Sequence, residues 1–324
     1  MGHEFETGLT VGEQSWHKLE RNVKTPVATI KEALALAGMD WLVDLKPIYR
    51  QLDDGSLQQV EGNAVVRLSD NSTLSVVGPG YRPVQNAEAF EPLQPLVDAK
   101  YMSIDSAGSL RRGARVYMSC KLTAEASEVV PGDTVEGYFL AYQGFDGKTR
   151  LCYKHTPVRV VCMNTLGMAT VGDEKRAEGY STEGVSFSHN GDISGRVAKF
   201  AEQINYMAKD FSSTIEVYRD LARKQMHPKA FFETLLKLEE RRLAAEAAGK
   251  TDSQPGQRQL DALLESYETQ PGKQYGQGTA WQAYNAVTYW VDHTRGREEN
   301  RKDNSLFGYG ASLKREALKL AVAA

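Results

Sequence analysis

The sequence predicts an α+β fold: an antiparallel, hairpin-rich β-sheet in the N-terminal half, backed by long α-helices, with a helical C-terminal region. Three observations predict it. Arg115 to Leu122 alternates strictly between apolar and polar residues, the period of a half-buried strand. Beyond about residue 190, apolar residues recur instead at helical spacing. Strands come first and helices afterwards, which excludes the alternating order of an α/β chain. The expected organisation is a mixed sheet domain over residues 1–190 and a helical region over 191–324, packed on the sheet.

Thr29 to Ala37 reads as a short helix stopping at Gly38, and Trp41 to Gln51 as a strand. Asp53-Asp54-Gly55 is a turn leading into Leu57 to Glu61. Ala64 to Leu68 and Thr73 to Val77 flank a polar turn and suggest a second hairpin, after which Asn86 caps a helix of some ten residues. In the strand from Arg115, Val116, Met118, Cys120 and Leu122 share one face, while Arg115, Tyr117, Ser119 and Lys121 share the other. Pro131-Gly132-Asp133 turns the chain into a strand over Val135 to Gln143, and a loop containing Asp146-Gly147 leads into Thr149 to Lys154. Val158 to Cys162 satisfies a strand pattern by its valines and a helix start by Thr156-Pro157.

Ile193 to Leu221 carries Val197, Phe200, Ile204, Met207, Phe211, Ile215 and Tyr218 on one stripe, predicting a single long helix packed on Val116, Met118, Cys120 and Leu122. Pro228 opens a helix running to Ala248, and Gln257 to Tyr267 makes another. Trp281 to Val291 is apolar nearly all round and should be buried. Leu306 to Ser312 is glycine-rich, and Leu313 to Val322 closes the chain as a helix.

With 41 % hydrophobic and 25 % charged residues among 324, the composition is that of a globular protein able to fold without disulfides or metal. No apolar stretch is long enough to span a bilayer. Met1 to Thr10 is polar and acidic and lacks the apolar core of a secretory signal. Three widely spaced cysteines point to free thiols in a reducing compartment, so a cytoplasmic location is expected. The net charge of −3 excludes a uniformly basic coat but leaves room for a local groove. Residues 108–162 hold 8 basic and 5 acidic side chains, against 9 and 15 in residues 1–107. The positive field thus coincides with the best strands.

Enzyme signatures are missing: the sequence holds no P-loop, no G-x-G-x-x-G, no H-E-x-x-H and no G-x-S-x-G. The six histidines stand far apart, no cysteine sits at metal-ligand spacing with one, and neither metal nor cofactor is expected. Cys162 with His155 and Asn164 invites a thiol-nucleophile reading, but such triads come from separate elements, and core packing is the simpler role for all three cysteines. Asp53, Asp54, Asp70, Asp133 and Asp146 read as turn formers. No catalytic residue is assigned.

The basic residues are more informative. Arg111, Arg112 and Arg115 precede or enter the best strand, with Lys121 further along its polar face. Lys148, Arg150, Lys154 and Arg159 come from the following hairpin, and Tyr117, Tyr138, Tyr142 and Tyr153 are interleaved. Cations that neutralise phosphates beside rings that stack on bases suit a single strand of nucleic acid. The candidate site is therefore Arg111, Arg112, Arg115, Lys121, Arg150, Lys154 and Arg159 for phosphates, with Tyr117 as the stacking ring. A solvated sheet face is the plain alternative. Arg295, Arg297, Arg301 and Lys302, diluted by Glu298, Glu299 and Asp303, read as a charged loop linking helices.

Four stretches read together carry a family resemblance: Val77-Gly78 through Tyr81-Arg82-Pro83-Val84-Gln85-Asn86, Ala107 to Gly113, Thr156 to Leu166, and Thr279-Ala280-Trp281-Gln282-Ala283-Tyr284-Asn285-Ala286-Val287-Thr288. Together they resemble the phage/plasmid-like proteins of the domain of unknown function 932 family. The resemblance implies a mobile genetic element in a bacterial host cell and brings no activity with it. More loosely, a hairpin-rich basic sheet backed by a helix is similar to the single-strand annealing proteins of recombination, which need no nucleotide hydrolysis. The expectation is an oligomeric, non-enzymatic single-stranded-DNA-binding protein that promotes annealing and recombination or protects single strands. An accessory factor binding a host protein, without nucleic-acid binding, is the alternative.

Overall fold

The computed structural model describes residues 5–12, 21–159, 164–165, 180–181, 184–201, 211–249 and 256–324. It is an α+β protein with antiparallel sheets in the N-terminal half and helices in the C-terminal region. The chain forms two compact units: residues 1–124, 138–155 and 172–209 make the first, and 125–137, 156–171 and 210–324 the second. The expected division at residue 190 falls inside a stretch of the first unit, because three long strands contribute residues to both.

The main sheet begins with β1 (Phe5–Val11) and β2 (Arg21–Val23), which are parallel. Helix α1 (Ile30–Leu36) follows, its first turn capped by Thr29, whose Oγ1 accepts the Glu32 N–H at 3.1 Å. A separate three-stranded sheet consists of β3 (Val43–Gln51), β4 (Leu57–Arg67) and β5 (Thr73–Val77), in that order. The two short strands expected at Leu57 and Ala64 are thus one strand. Its register against β3 shifts near Gly62, whose φ of 120° accommodates the bulge. The helix expected at Asn86 is broken into α2 (Asn86–Phe90), a 3-10 turn (Glu91–Leu93) and α3 (Gln94–Asp98), because Pro92 and Pro95 interrupt the hydrogen-bond ladder.

The main sheet resumes with β6 (Met102–Leu110), β7 (Arg115–Val130), β8 (Asp133–Gly144) and β9 (Leu151–Arg159). β9 takes in Pro157 and Val158, so the ambiguous segment begins as strand; residues 160–162 lie outside the described residues. The short strands β10 (Asn164–Thr165), β11 (Tyr180–Ser181) and β12 (Gly184–Phe187) complete the order β11-β12-β9-β8-β7-β6-β1-β2, with β10 on β9.

Val116, Met118, Cys120 and Leu122 enter the first unit's core as expected, a core they share with Phe90, Leu93, Val43 and Val65. Helix α4 (Ile193–Ala201) joins this core through Ile193 and Val197. Helix α5 (Phe211–Arg223) does not: Ile215, Tyr218 and Leu221 pack in the second unit's core. Of the predicted single long helix, α4 therefore packs with the sheet's core and α5 does not, since an apolar stripe does not name the core it enters. Residues 202–210, which include Ile204 and Met207, and the side chains of Phe200 and Phe211 lie outside the described set.

The second unit adds α6 (Pro228–Leu235), α7 (Leu238–Ala247), α8 (Gln257–Thr269), α9 (Ala280–Tyr289), α10 (Glu298–Phe307) and α11 (Tyr309–Ala323). The helix expected from Pro228 to Ala248 breaks at Lys237 (φ 52°), and α7 beyond the break buries no residue that would hold it in line. Helix α9 is buried from Ala280 to Thr288, as predicted. The glycine-rich stretch at 306–312 is mostly helical. A Cβ on Gly310 would lie 2.7 Å from Val291 Cγ1, so that glycine permits close packing rather than a loop.

Candidate nucleic-acid interface

The hairpin joining β6 to β7 is the most distinctive backbone feature of the first unit. Leu110 pairs with Arg115, and between them Arg111 (φ 53°), Arg112 (φ 56°) and Gly113 (φ 86°) are all left-handed. The Gly113 N–H donates to Leu110 O at 3.1 Å and the Ala114 N–H to Arg111 O at 3.1 Å. Left-handed backbone costs a side-chain-bearing residue about 1–2 kcal/mol, which is why tight hairpins favour Asn-Gly. Here two exposed arginines hold those positions.

This tip is tied to the loop between β8 and β9, because the Phe145 N–H donates to Ala114 O at 2.7 Å. Asp146 organises that loop. Its carboxylate accepts from the Lys148 N–H (2.9 Å), the Thr149 N–H (2.7 Å), the Thr149 hydroxyl (2.9 Å) and Arg115 Nε (2.9 Å). Burial opposes its ionisation, but these hydrogen bonds outweigh burial and hold the carboxyl below its ordinary value. Arg115, 12 % exposed, is therefore a strut of the loop rather than an open cation. Lys148 and Arg150 emerge beyond it, exposed, at the same end of the sheet as Arg111 and Arg112.

The polar face of β7 departs from expectation. Tyr117 does lie opposite Met118 and Cys120, but it is only 1 % exposed. Its ring covers Gly108, its partner across the strand pair: a Cβ there would come within 2.9 Å of the Tyr117 hydroxyl and 3.0 Å of its ring. Tyr138 and Leu140 are buried as well, so this part of the sheet offers no ring to a base. Half-buried groups remain at Lys121, Tyr142, Cys152 and Lys154, with Lys154 Nζ 5.6 Å from the Tyr142 ring centroid. Lys121 pairs with Ser103, six residues up β7 from Arg115 and hence about 20 Å from the hairpin tip. Arg159 belongs to the second unit, and its side chain lies outside the described set. The structure thus gathers Arg111, Arg112, Arg115 and Arg150 at one end of the sheet, with Lys148 beside them. Lys121 is apart, and Tyr117 is core.

The hairpin end has supports that no local sequence pattern marks. Arg67 lies beside Gly113, where a Cβ would be 3.0 Å from its Nη1. It donates to Glu6 (2.7 Å) and to Asp70 (3.1 and 2.5 Å), and its guanidinium lies 5.3 Å from the Trp41 ring centroid. These bonds, with others from Ser72, hold the Asp70 carboxyl far below its ordinary value. From the other side Tyr81 donates to Gly144 O at 3.1 Å and stacks on His189, ring centroids 5.1 Å apart.

The motif residues behind the family resemblance build scaffold. The Gln85 amide bonds both the N–H and the C=O of Val43, each at 3.0 Å, and Asn86 donates to Met39 O at 2.9 Å. In the second unit Trp281 Nε1 donates to Asp133 at 2.8 Å, and Gln282 accepts from the Gly278 N–H at 2.8 Å while donating to Tyr267 O at 3.2 Å. Asp133 is fully buried, so it is a core acceptor as well as a turn residue. A family model described as domain of unknown function (DUF932) matches residues 73–308, well over half of the chain. The chain belongs to the DUF932 family. No curated protein and no solved structure matches it.

In this DUF932 chain the described thiols are poor nucleophiles. Burial pushes Cys120 far up, and it also raises Cys152 against the opposing pull of Tyr142, Lys154 and Arg150. Cys162 lies outside the described residues. Among the described residues no three His, Cys, Asp or Glu side chains cluster to hold a metal ion. Among them, too, no helix is long and apolar enough to cross a membrane. In the second basic cluster, Arg295 lies between the rings of Trp290 (5.5 Å) and Tyr309 (4.8 Å). Arg301 donates to the carbonyls of Arg295 and Gly296, both at 3.3 Å. Both arginines brace the turn between α9 and α10.

Proposed function

We propose that this DUF932 chain binds single-stranded nucleic acid without catalysing a reaction, through the hairpin end of the first unit's main sheet. In a phage or plasmid such binding serves strand annealing or the protection of single strands. The reading rests on one observation: Arg111 and Arg112, adjacent and exposed, occupy left-handed positions where smaller residues fit at lower cost. Two adjacent exposed guanidinium groups at a hairpin tip suit an anionic ligand. Lys148 and Arg150, on the loop bonded to that tip, extend the row to four exposed cations. Their partners are backbone phosphates, a sequence-tolerant contact that leaves bases free to pair. Tyr142 beneath Lys154 is the half-buried ring that replaces Tyr117 as a stacking surface.

Gel shifts with single-stranded and duplex DNA at low and high salt test this reading. A salt-sensitive shift of the single strand, weakened in Arg112→Ala, is expected. No shift at micromolar protein in low salt overturns it and moves host-protein binding ahead.

A further inference from the structure

The second basic cluster, at the turn between α9 and α10, has a chemistry of its own. Helix α9 runs into a π-helical turn, Trp290–Thr294, closed by the Arg295 N–H on Trp290 O at 2.7 Å. Such turns are rare and occur frequently at functional sites. Gly310 lets the start of α11 close on this turn, its missing Cβ leaving room for Val291 while its N–H donates to Asn304 Oδ1 at 3.0 Å. Tyr309 is thereby set against Arg295, whose guanidinium lies 4.8 Å from the Tyr309 ring centroid and 5.5 Å from that of Trp290. Trp290 is buried, whereas Tyr309 is 48 % exposed.

The rings give this guanidinium no acceptor. Among the described residues the Arg295 side chain donates no hydrogen bond and forms no ion pair. Burial opposes its ionisation, and no carboxylate offsets that. The Asp292 carboxylate within the turn is taken by Lys314 Nζ at 2.8 Å, and the field of Glu298 falls on Arg301. Arg297, two residues beyond Arg295 and exposed, has no ion pair among the described residues either. A guanidinium presents a planar fork of N–H donors that matches phosphate oxygens. The ring beside it offers a stacking surface for a base. A phosphate joined to a flat ring is a nucleotide. A strand needs a track of cations along several nucleotides, but the unpaired cations here are confined to one turn, so the occupant is a single nucleotide.

We propose that Arg295, Arg297 and Tyr309 form a binding site for a single nucleotide, with its phosphate on the two guanidinium groups and its base on the Tyr309 ring. The site uses none of the hairpin-end cations and stands apart from strand binding. Two charge-assisted contacts and one stacked base place the dissociation constant at about 0.1–1 mM.

Calorimetric titration of the full chain with adenosine monophosphate, adenosine and inorganic phosphate tests the proposal. Adenosine monophosphate should bind saturably, with adenosine and phosphate each weaker by about tenfold or more, since each lacks half of the contacts. Tyr309→Ala should weaken binding by roughly fivefold or more with an unchanged far-UV spectrum, and Tyr309→Phe, which keeps the ring, should bind like wild type. Arg297→Ala, at an exposed position, should weaken it by about tenfold. Wild type that shows no saturable binding below about 5 mM overturns the proposal. So does a Tyr309→Ala or Arg297→Ala chain that binds like wild type. A poly-pyrimidine strand whose affinity falls as far in Tyr309→Ala as that of the mononucleotide overturns it too, because the occupant is then a strand.

Discussion

Arg111 and Arg112 set the terms at the scale of single residues. If their left-handed backbone is retained for the sake of their charges, relieving the strain and removing the charge should act in opposite directions. Arg111→Asn with Arg112→Gly suits the same turn at lower backbone cost and should stabilise the fold by about 1–2 kcal/mol. The same pair should weaken single-strand binding, measured by anisotropy beside a denaturant titration. A gain in stability with unchanged binding would remove the hairpin tip from the site. Asp146 supplies a pH dependence. Its carboxyl is held below its unfolded value, so its contribution to stability is present above the ordinary carboxylate range and is lost as pH falls through the folded value. Amide exchange at Lys148 and Thr149 should accelerate on acidification, and Asp146→Asn should abolish that acceleration. At this scale the sequence was only partly legible. Period-two alternation put Tyr117 on the correct face, but its burial follows from pairing with Gly108, and no local pattern records that partner. Nor does Arg-Arg-Gly-Ala carry the Asn-Gly signal by which a left-handed turn is recognised.

At the scale of elements, the readings that held are those in which one pattern dictates one environment. Helix α9 is apolar nearly all round and is buried from Ala280 to Thr288. The strand from Arg115 alternates, and its even-numbered residues from Val116 to Leu122 are core. The readings that failed needed knowledge of a partner. The stripe from Ile193 to Leu221 sends α4 into one core and α5 into another, and the helix after Pro228 breaks at Lys237, beyond which α7 has no buried residue. The motif residues of α9 owe their identity to hydrogen bonds that reach far along the chain. Trp281 donates to Asp133, 148 residues away, and both are buried. Trp281→Phe keeps most of the apolar ring but withdraws that donor from a buried carboxylate, which should cost about 1–3 kcal/mol of unfolding free energy. Binding at the hairpin end should be unchanged in this variant once it is folded. A Trp281→Phe protein as stable as wild type would show that the Asp133 bond contributes nothing net.

The whole molecule carries a net charge of −3, so any affinity for a polyanion has to come from a local field set against the global one. That condition makes salt the discriminating variable. Four exposed cations, Arg111, Arg112, Lys148 and Arg150, gather at one end of the sheet, and each phosphate neutralised on a single strand releases about 0.7 counterion. The logarithm of the affinity for a labelled poly-pyrimidine strand should therefore fall with the logarithm of salt at a slope of about 3. Removing Arg112 or Arg150 should flatten that slope by about 0.7 each and weaken all sequences alike. Lys121→Ala should leave the slope unchanged, since Lys121 is about 20 Å up the strand. Arg301→Ala should also leave it unchanged while lowering stability, because that guanidinium is bonded to the Arg295 and Gly296 carbonyls. Equal flattening by Lys121→Ala and Arg112→Ala would move the strand off the hairpin end and onto the length of β7. A wild-type slope near zero would exclude phosphate contacts altogether.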